Sequence, residues 1–297
     1  MDDEELLAER FQEQRGHLRA VAYRMLGSLS EAEDAVQEAW LRLSRSDMTQ
    51  VRNLGGWLTT VVGRICLDML RSRGSRREEP ITEAFVPDPV VTPLERVDPE
   101  QEALLADSVG LALLVVLETL DPAERLAFVL HDMFAVPFDD IAPVVGRTSA
   151  TTRQLASRAR RRVHSAQPAD DPDPGRQREA VEAFLAASRA GDFEALLAVL
   201  DPDVVLRADS GPLATGLAAS KVLHGARTVA KGAFMFRQYS PYARLVLVNG
   251  AIGVVTAPEG RPMSVMTATV ANGRITAIYI LSDPERLKRL DLPEAAA

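Results

Sequence analysis

Phe138-Asp139-Asp140-Ile141-Ala142-Pro143-Val144-Val145-Gly146-Arg147-Thr148, followed by Ser149-Ala150-Thr151-Thr152-Arg153-Gln154-Leu155-Ala156-Ser157-Arg158-Ala159-Arg160-Arg161-Arg162-Val163, is the stretch that decides how the chain is organised. It reads as a short helix, a turn at Gly146 and a second helix capped by Thr148, the pattern of a helix-turn-helix. Thr152, Leu155, Ala156, Ala159 and Val163 recur at helical spacing and form an inner face. Thr151, Arg153, Gln154, Ser157 and Arg158 fall outside that face and are types that bond base edges or phosphates, while Arg161 and Arg162 suit phosphates. A solvated basic helix is the plain alternative. The glycine turn and the preceding short helix favour a DNA-contacting unit. Pro143 is awkward in the first helix and is expected to sit in its first turn or to shorten it.

Upstream, Asp121-Pro122-Ala123-Glu124 marks another helix start, with Asp as cap, Pro at the first position and Glu at the third. Between Arg76 and Pro99 no period holds, and five prolines make this a linker. Further upstream the chain reads as all helix. Leu18, Val21, Ala22, Met25 and Leu26 share one stripe, and Gly27-Ser28 stops that helix. Ser30 with Glu33 predicts a capping box opening the next, whose stripe is Ala32, Ala35, Val36, Ala39, Trp40 and Leu43. A third helix is expected from about Leu54 to Arg71, with Leu58, Val62, Ile65 and Met69 on one face and Thr60, Arg64, Asp68 and Arg71 on another.

Downstream, Asp170-Asp171-Pro172-Asp173-Pro174 lies in a second linker, and beyond it the texture changes. Two helical stretches, 177–189 and 193–200, are separated by Gly191-Asp192. Residues 244–248 and 251–256 flank Asn249-Gly250, and 263–271 and 274–281 flank Asn272-Gly273. Asn-Gly between β-rich runs predicts a two-residue hairpin, because both positions need positive φ. Asp283-Pro284-Glu285-Arg286-Leu287 reads as a capped final helix.

A chain of 297 residues suits two or three domains, and its single cysteine, Cys66, permits no internal disulfide. Its four histidines are scattered, so no metal or other cofactor is expected. The acidic N-terminus is unlike a secretory signal, and no apolar run approaches the roughly 20 residues that span a bilayer. A soluble cytoplasmic protein without membrane contact is expected. The net charge of −8 hides a segregated pattern. Base collects at Arg64, Arg71, Arg73, Arg76 and Arg77, and again at Arg147, Arg153, Arg158, Arg160, Arg161 and Arg162; local field governs phosphate binding. For the first cluster, complementing a helix dipole is an equal reading.

In order along the chain, these segments resemble the extracytoplasmic-function sigma factors. Glu33-Asp34-Ala35-Val36-Gln37-Glu38-Ala39-Trp40 is similar to the family's region 2.2. That implies a contact of Asp34, Gln37, Glu38 and Arg42 with the β′ subunit of core RNA polymerase, whose β subunit is expected as a partner too. Trp57-Leu58, Arg64, Asp68 and the arginines from Arg71 to Arg77 resemble regions 2.3 and 2.4, which engage the −10 element. The helix-turn-helix looks like region 4, which reads the −35 element. The remainder resembles a SnoaL-like α+β cone, which in one subgroup of the family implies regulation of the DNA-binding modules. Phe85-Val86-Pro87-Asp88-Pro89, Asp209-Ser210-Gly211 and Ser282-Asp283-Pro284-Glu285 stand where that subgroup has its linker, glycine-rich and terminal elements.

The expected fold is thus multidomain: two all-α sigma domains, at 1–78 and 104–166, then an α+β SnoaL-like cone domain at 177–297, with linkers at 79–103 and 167–176. The expected function is promoter-specific initiation on promoter DNA without catalysis. An intramolecular contact is expected between the C-terminal domain and the sigma modules or their linker. Stretched at 3.3 Å per residue, the linker from Gly74 to Gln101 reaches roughly 90 Å. Two promoter elements under two turns apart need about 60 Å at 3.4 Å per base pair. Two other classes stay open: an operator-binding regulator, which predicts dimers, and an enzyme working in the cone, with Asp203, Arg207, Asp209 and Tyr239 as its polar residues.

Overall fold

A computed structural model describes residues 3–46, 53–75, 83–94, 110–166, 173–216 and 219–293. The chain divides into two compact units, Met1–Pro80 with Val116–Ala166 and Ile81–Val115 with Gln167–Ala297. The two helical modules read separately from the sequence therefore pack as one.

In the first unit, α1 (Asp3–Leu26) ends at Gly27, whose φ of +68° closes the helix without a Cβ clash. Helix α2 (Leu29–Leu43) follows, and α3 spans Leu54–Ser75. The expected capping box does not form. Ser28, not Ser30, holds the N-cap position, and Glu33 instead pairs with Arg15 and Arg19 of α1 at 3.0 and 2.9 Å. Two guanidinium partners outbid a single backbone N–H for one carboxylate.

Helix α3 runs four residues beyond its expected end and is buried on more than the expected stripe. Leu58, Val62 and Ile65 are inside as read, but so are Gly63, Cys66, Leu67 and Leu70. At Gly63 the extra burial comes from the second module. A Cβ on Gly63 would lie 3.0 Å from the Leu130 side chain and 3.1 Å from that of Leu126. Burial also pushes the Cys66 thiol far up, so it is packing volume and not a nucleophile.

That second module contains α4 (Leu111–Glu118), α5 (Pro122–Phe128, prolonged by a π-helical turn to Met133), α6 (Phe138–Val145) and α7 (Ser149–Ala166). Asp121 sits at the N-cap of α5 but accepts no cap bond. Glu124, expected to support that cap, accepts from Arg162 Nη1 at 2.9 Å. A buried cation ties the modules together: Arg125 Nη1 donates to Glu118 Oε1 at 2.7 Å and to the Met25 carbonyl, at the end of α1, at 2.8 Å. Their side chains are 3% and 6% exposed for Arg125 and Glu118. Phe134 adds a second contact, meeting the His17 ring edge-on at 5.1 Å and the Arg24 guanidinium at 4.6 Å.

The second unit is a seven-stranded sheet with helices α8 (Pro174–Ala190), α9 (Phe193–Val199) and α10 (Ala226–Met235) packed on it. Its strands are β1 (Val91–Thr92), β2 (Leu200–Asp209), β3 (Lys221–His224), β4 (Ala243–Val248), β5 (Ala251–Thr256), β6 (Ser264–Ala271) and β7 (Arg274–Leu281), in the order β1-β4-β5-β6-β7-β2-β3. Among the described strands only β2 and β7 pair in parallel. Both Asn-Gly hairpins form as read: Asn249 and Gly250 have φ of +50° and +79°, Asn272 and Gly273 +53° and +73°. Val248 pairs with Ala251, and Ala271 with Arg274, across the two turns. The final helix α11 (Pro284–Leu287) is capped by Asp283, which accepts from the backbone of Glu285 and Arg286. Among the described residues, no helix is long and apolar enough to cross a membrane, and no cluster could hold a metal.

Candidate nucleic-acid and polymerase interfaces

The helix-turn-helix is built by its turn. Gly146, at φ +73°, ends α6, and the amides of Gly146 and Arg147 both return to the Ala142 carbonyl at 3.0 Å. Thr148 then caps α7 as expected, its Oγ1 accepting from the Thr151 amide at 3.2 Å. Ser149 Oγ donates to Asp139 Oδ1 at 2.5 Å and so ties the start of α7 back to α6. Pro143 lies inside α6, past its first turn, on an exposed face where water can satisfy the carbonyl that loses its partner.

Helix α7 buries Thr152, Ala156, Ala159 and Val163 and half-buries Leu155, the inner face read from the sequence. Arg153, Gln154, Ser157, Arg158 and Arg161 are exposed, and Thr151 is half-exposed. Arg153 also lies over the Phe138 ring, 5.4 Å from its centroid, and that ring stacks on His131 at 3.7 Å. The contact fixes the stem of Arg153 beside the turn. Two neighbours are differently employed. Arg160 pairs with Asp132 at 2.6 Å, and Arg162 with buried Glu124, so both brace α7 against α5 and its extension.

On α3, Arg64, Asp68 and Arg71 are exposed along one side, with Thr60 half-buried and bonded to the Trp57 carbonyl. Arg73 departs from this row: it pairs with Glu31 of α2 and so closes the three-helix packing. Arg76 and Arg77 lie outside the described residues.

On α2, Asp34 and Gln37 are exposed, while Glu38 and Arg42 form an i,i+4 pair at 3.0 Å. Beside them a depression of 480 Å³ between α1 and α2 is lined by Phe11, Gln12, Val36, Gln37 and Trp40 among others. Trp40, expected in the core, is half-exposed at this depression, its ring 5.0 Å from that of Phe11.

A site that residue types alone did not disclose centres on Arg286. Nε donates to Asp88 Oδ1 at 2.7 Å, Nη1 to Asp209 Oδ2 at 2.8 Å and Nη2 to the Val86 carbonyl at 2.6 Å. The guanidinium also lies 5.1 Å from the Phe85 ring centroid. The Val86 amide returns a bond to Asp209 Oδ2 at 3.1 Å. Further along, Val90 and Asn249 exchange two bonds, and β1 pairs with β4. Residues 83–92 are thus a strap held on the α+β domain, where the sequence read a linker. The three short elements around Val86, Asp209 and Asp283 converge here. Gly211 is required at this node, since its φ is +78° and a Cβ would meet Asp283 Oδ2 at 2.4 Å.

The same geometry corrects the residues read as possible members of a catalytic cone. Asp209 holds the strap, Arg207 donates to the Glu83 carbonyl at 3.1 Å and Asp203 is exposed. Only Tyr239 reaches the cavity of this domain.

Comparison with known proteins agrees with these two modules. Residues 11–76 match the model of Sigma-70 region 2, and residues 110–163 that of Sigma-70, region 4. The chain is 41% identical to the ECF RNA polymerase sigma factor SigJ of Mycobacterium tuberculosis, over 97% of this chain and 95% of that one. It is 36% identical to a probable ECF RNA polymerase sigma factor, SigI, of the same species, over 93% of each. The crystal structure of M. tuberculosis SigJ superposes with a TM-score of 0.76 at 36% identity, covering 96% of this chain and all of that one. Helical sigma modules followed by a sheet-containing domain, and this likeness along nearly the whole chain, place it in the extracytoplasmic-function family of RNA polymerase sigma factors.

Proposed function

We propose specific roles for these surfaces in promoter-specific initiation. The α2 face with Asp34, Gln37, Glu38 and Arg42 docks on the β′ subunit of core RNA polymerase, with the second module against β. Arg64 and Arg71 of α3 engage the −10 element. The outer face of α7 reads the −35 element through Arg153, Gln154, Ser157 and Arg158, with Thr151, Arg161 and the exposed part of Arg162 on phosphates. All of this is cytoplasmic work, done where polymerase meets DNA. The observation that carries the reading is the outer face of α7. Among the described residues, no carboxylate pairs with Arg153, Arg158 or Arg161, whereas Arg160 and Arg162 of the same helix are paired. A row of cations unneutralised by its own protein is what a polyanion needs.

The packed helical unit is then a resting form. Direct helix contact keeps axes about 8–10 Å apart, whereas two promoter elements lie roughly 60 Å apart at 3.4 Å per base pair. Reading both at once requires α3 and α5 to separate and the Arg125 bond to Met25 to break. The α+β domain, by holding the strap of the linker between the modules, regulates that separation.

Holoenzyme footprints test the assignment. Arg153→Ala and Arg158→Ala should each cost about 1–3 kcal/mol and relax preference at one upstream position. Unchanged affinity and preference in both would remove α7 from promoter reading. Truncation after Gly175 should change transcription while polymerase binding persists. A truncated chain that matches the full one in both would end the regulatory reading.

A further inference from the structure

Between α8, α10 and the inner face of the sheet lies a cavity of 420 Å³. Its walls are mainly aliphatic, with Leu206, Leu223, Val254, Met266, Ile278 and Ile280 among them. Well-packed cores rarely hold a void larger than a water molecule, and water is a poor filler of an apolar space because it finds few partners there. The volume falls in the range of small-molecule sites, and so does the lining, apolar with a few polar groups. The polar groups are distributed with a bias. Described lining residues include no Asp, Glu, His or Cys; the charged one is Lys221, whose Nζ lies 5.8 Å from the Phe236 ring centroid. Ser188 and Ser240 satisfy each other at 3.1 Å. Among the described lining residues there is no carboxylate or imidazole to serve as a general base, and the cavity suits binding.

One wall of the cavity touches the strap node. Ser210 and Ser282 both line it and share a hydrogen bond of 2.8 Å. Each follows or precedes a node residue: Ser210 follows Asp209, Ser282 precedes Asp283, and the Ser282 amide donates to the Asp209 carbonyl at 2.7 Å. Pro284, also in the lining, opens the helix that carries Arg286. A molecule seated against Ser210, Ser282 and Pro284 presses on the residues that grip Val86 and Asp88.

We propose that this cavity binds a small apolar anion, an aromatic or aliphatic carboxylate with its head group beside Lys221, and that its occupancy changes the hold on the strap. Coupling of this kind is reciprocal: a ligand that tightens the strap is itself bound more tightly when the strap is docked.

The test uses the full chain, 2-naphthoate as probe and 2-naphthalenemethanol as its neutral counterpart. Calorimetry reads binding, and amide exchange at Val86 and Val90 reads the strap. The expected result is saturable one-to-one binding of the carboxylate, at least tenfold tighter than the alcohol. Lys221→Gln should erase that preference. Ala233→Phe, which fills the cavity from α10 at a half-buried position, should abolish binding of both probes while thermal melting shows the fold retained. Exchange at Val86 should shift at least threefold on saturation. Equal affinity for acid and alcohol, or binding that survives Ala233→Phe in a folded protein, overturns the site. Tight binding with no change in strap exchange overturns the coupling.

Discussion

Replacing Arg286 with alanine tests the grip on the linker most sharply. The guanidinium makes three hydrogen bonds, one each to Asp88 Oδ1, Asp209 Oδ2 and the Val86 carbonyl, and its Nη2 also lies 2.6 Å from Asp88 Oδ1. The Asp88 and Asp209 side chains are 9% and 8% exposed, and that of Arg286 is 20% exposed. Removing one member of a buried ion pair costs about 3–5 kcal/mol, because the partner charge is left without compensation. Partial exposure of Arg286 places this case at the lower end, about 3 kcal/mol. The protein can relieve the two carboxylates that lose this cation by releasing the strap, so the cost should appear as strap opening and not as global unfolding. At 1.4 kcal/mol per tenfold, opening should rise about 100-fold. Amide exchange reads it directly, because the Val86 and Val90 amides bond side chains of the α+β domain and of nothing else in the strap. Arg286→Lys keeps the charge but not the fork that spans three acceptors, so it should fall between wild type and alanine. Exchange at Val86 and Val90 within twofold of wild type in Arg286→Ala would refute the reasoning.

Other consequences follow from named contacts. Arg125→Met should destabilise the helical unit by about 3–5 kcal/mol by stranding Glu118, and adding Glu118→Leu should recover most of the loss in chemical denaturation. Gly63→Ile drives a branched side chain into Leu126 and Leu130 and should cost about 1–3 kcal/mol, seen as a larger radius in small-angle scattering where the modules part. Gly211→Ala combines a positive φ with a Cβ 2.4 Å from Asp283; it should lower the melting temperature and speed strap exchange. Arg161→Ala should weaken binding to all DNA sequences alike and reduce the slope of log affinity on log salt by about one.

Much of the fold was legible because local signals and the final structure agree. The Asn-Gly turns, the Gly146 turn and the stripe on α7 each depend on a few neighbouring residues, and each formed. What stayed hidden depends on partners distant in sequence. Strand β2, unread, alternates only after Pro202 and takes its place by pairing with β7. Glu33 looked like a cap and became a salt bridge because α1 brings Arg15 and Arg19 to it. The pairing of Arg73 with Glu31 and of Arg162 with Glu124 was not legible either, because each carboxylate comes from another helix. Gly63 carries no local signal, yet it is a point where α5 approaches α3. Arg286 reads from the sequence only as a member of a capped final helix, here of four residues. Its partner Asp88 is 198 positions away, and no periodicity links them.

In the proposed function, core docking by α2 is the step on which promoter-directed initiation depends. Asp34→Arg with Glu38→Arg reverses two charges on that face; Asp34 is exposed, Glu38 is half-exposed, and neither contributes to the core, so folding should be unaffected. Purified wild-type and doubly substituted chains should be mixed with core RNA polymerase, and both binding and run-off transcription from a promoter selected with the wild-type holoenzyme should be measured. Loss of both binding and transcript, with an unchanged helical circular dichroism spectrum, is the expected result. Wild-type binding and transcript from the substituted chain would contradict the account.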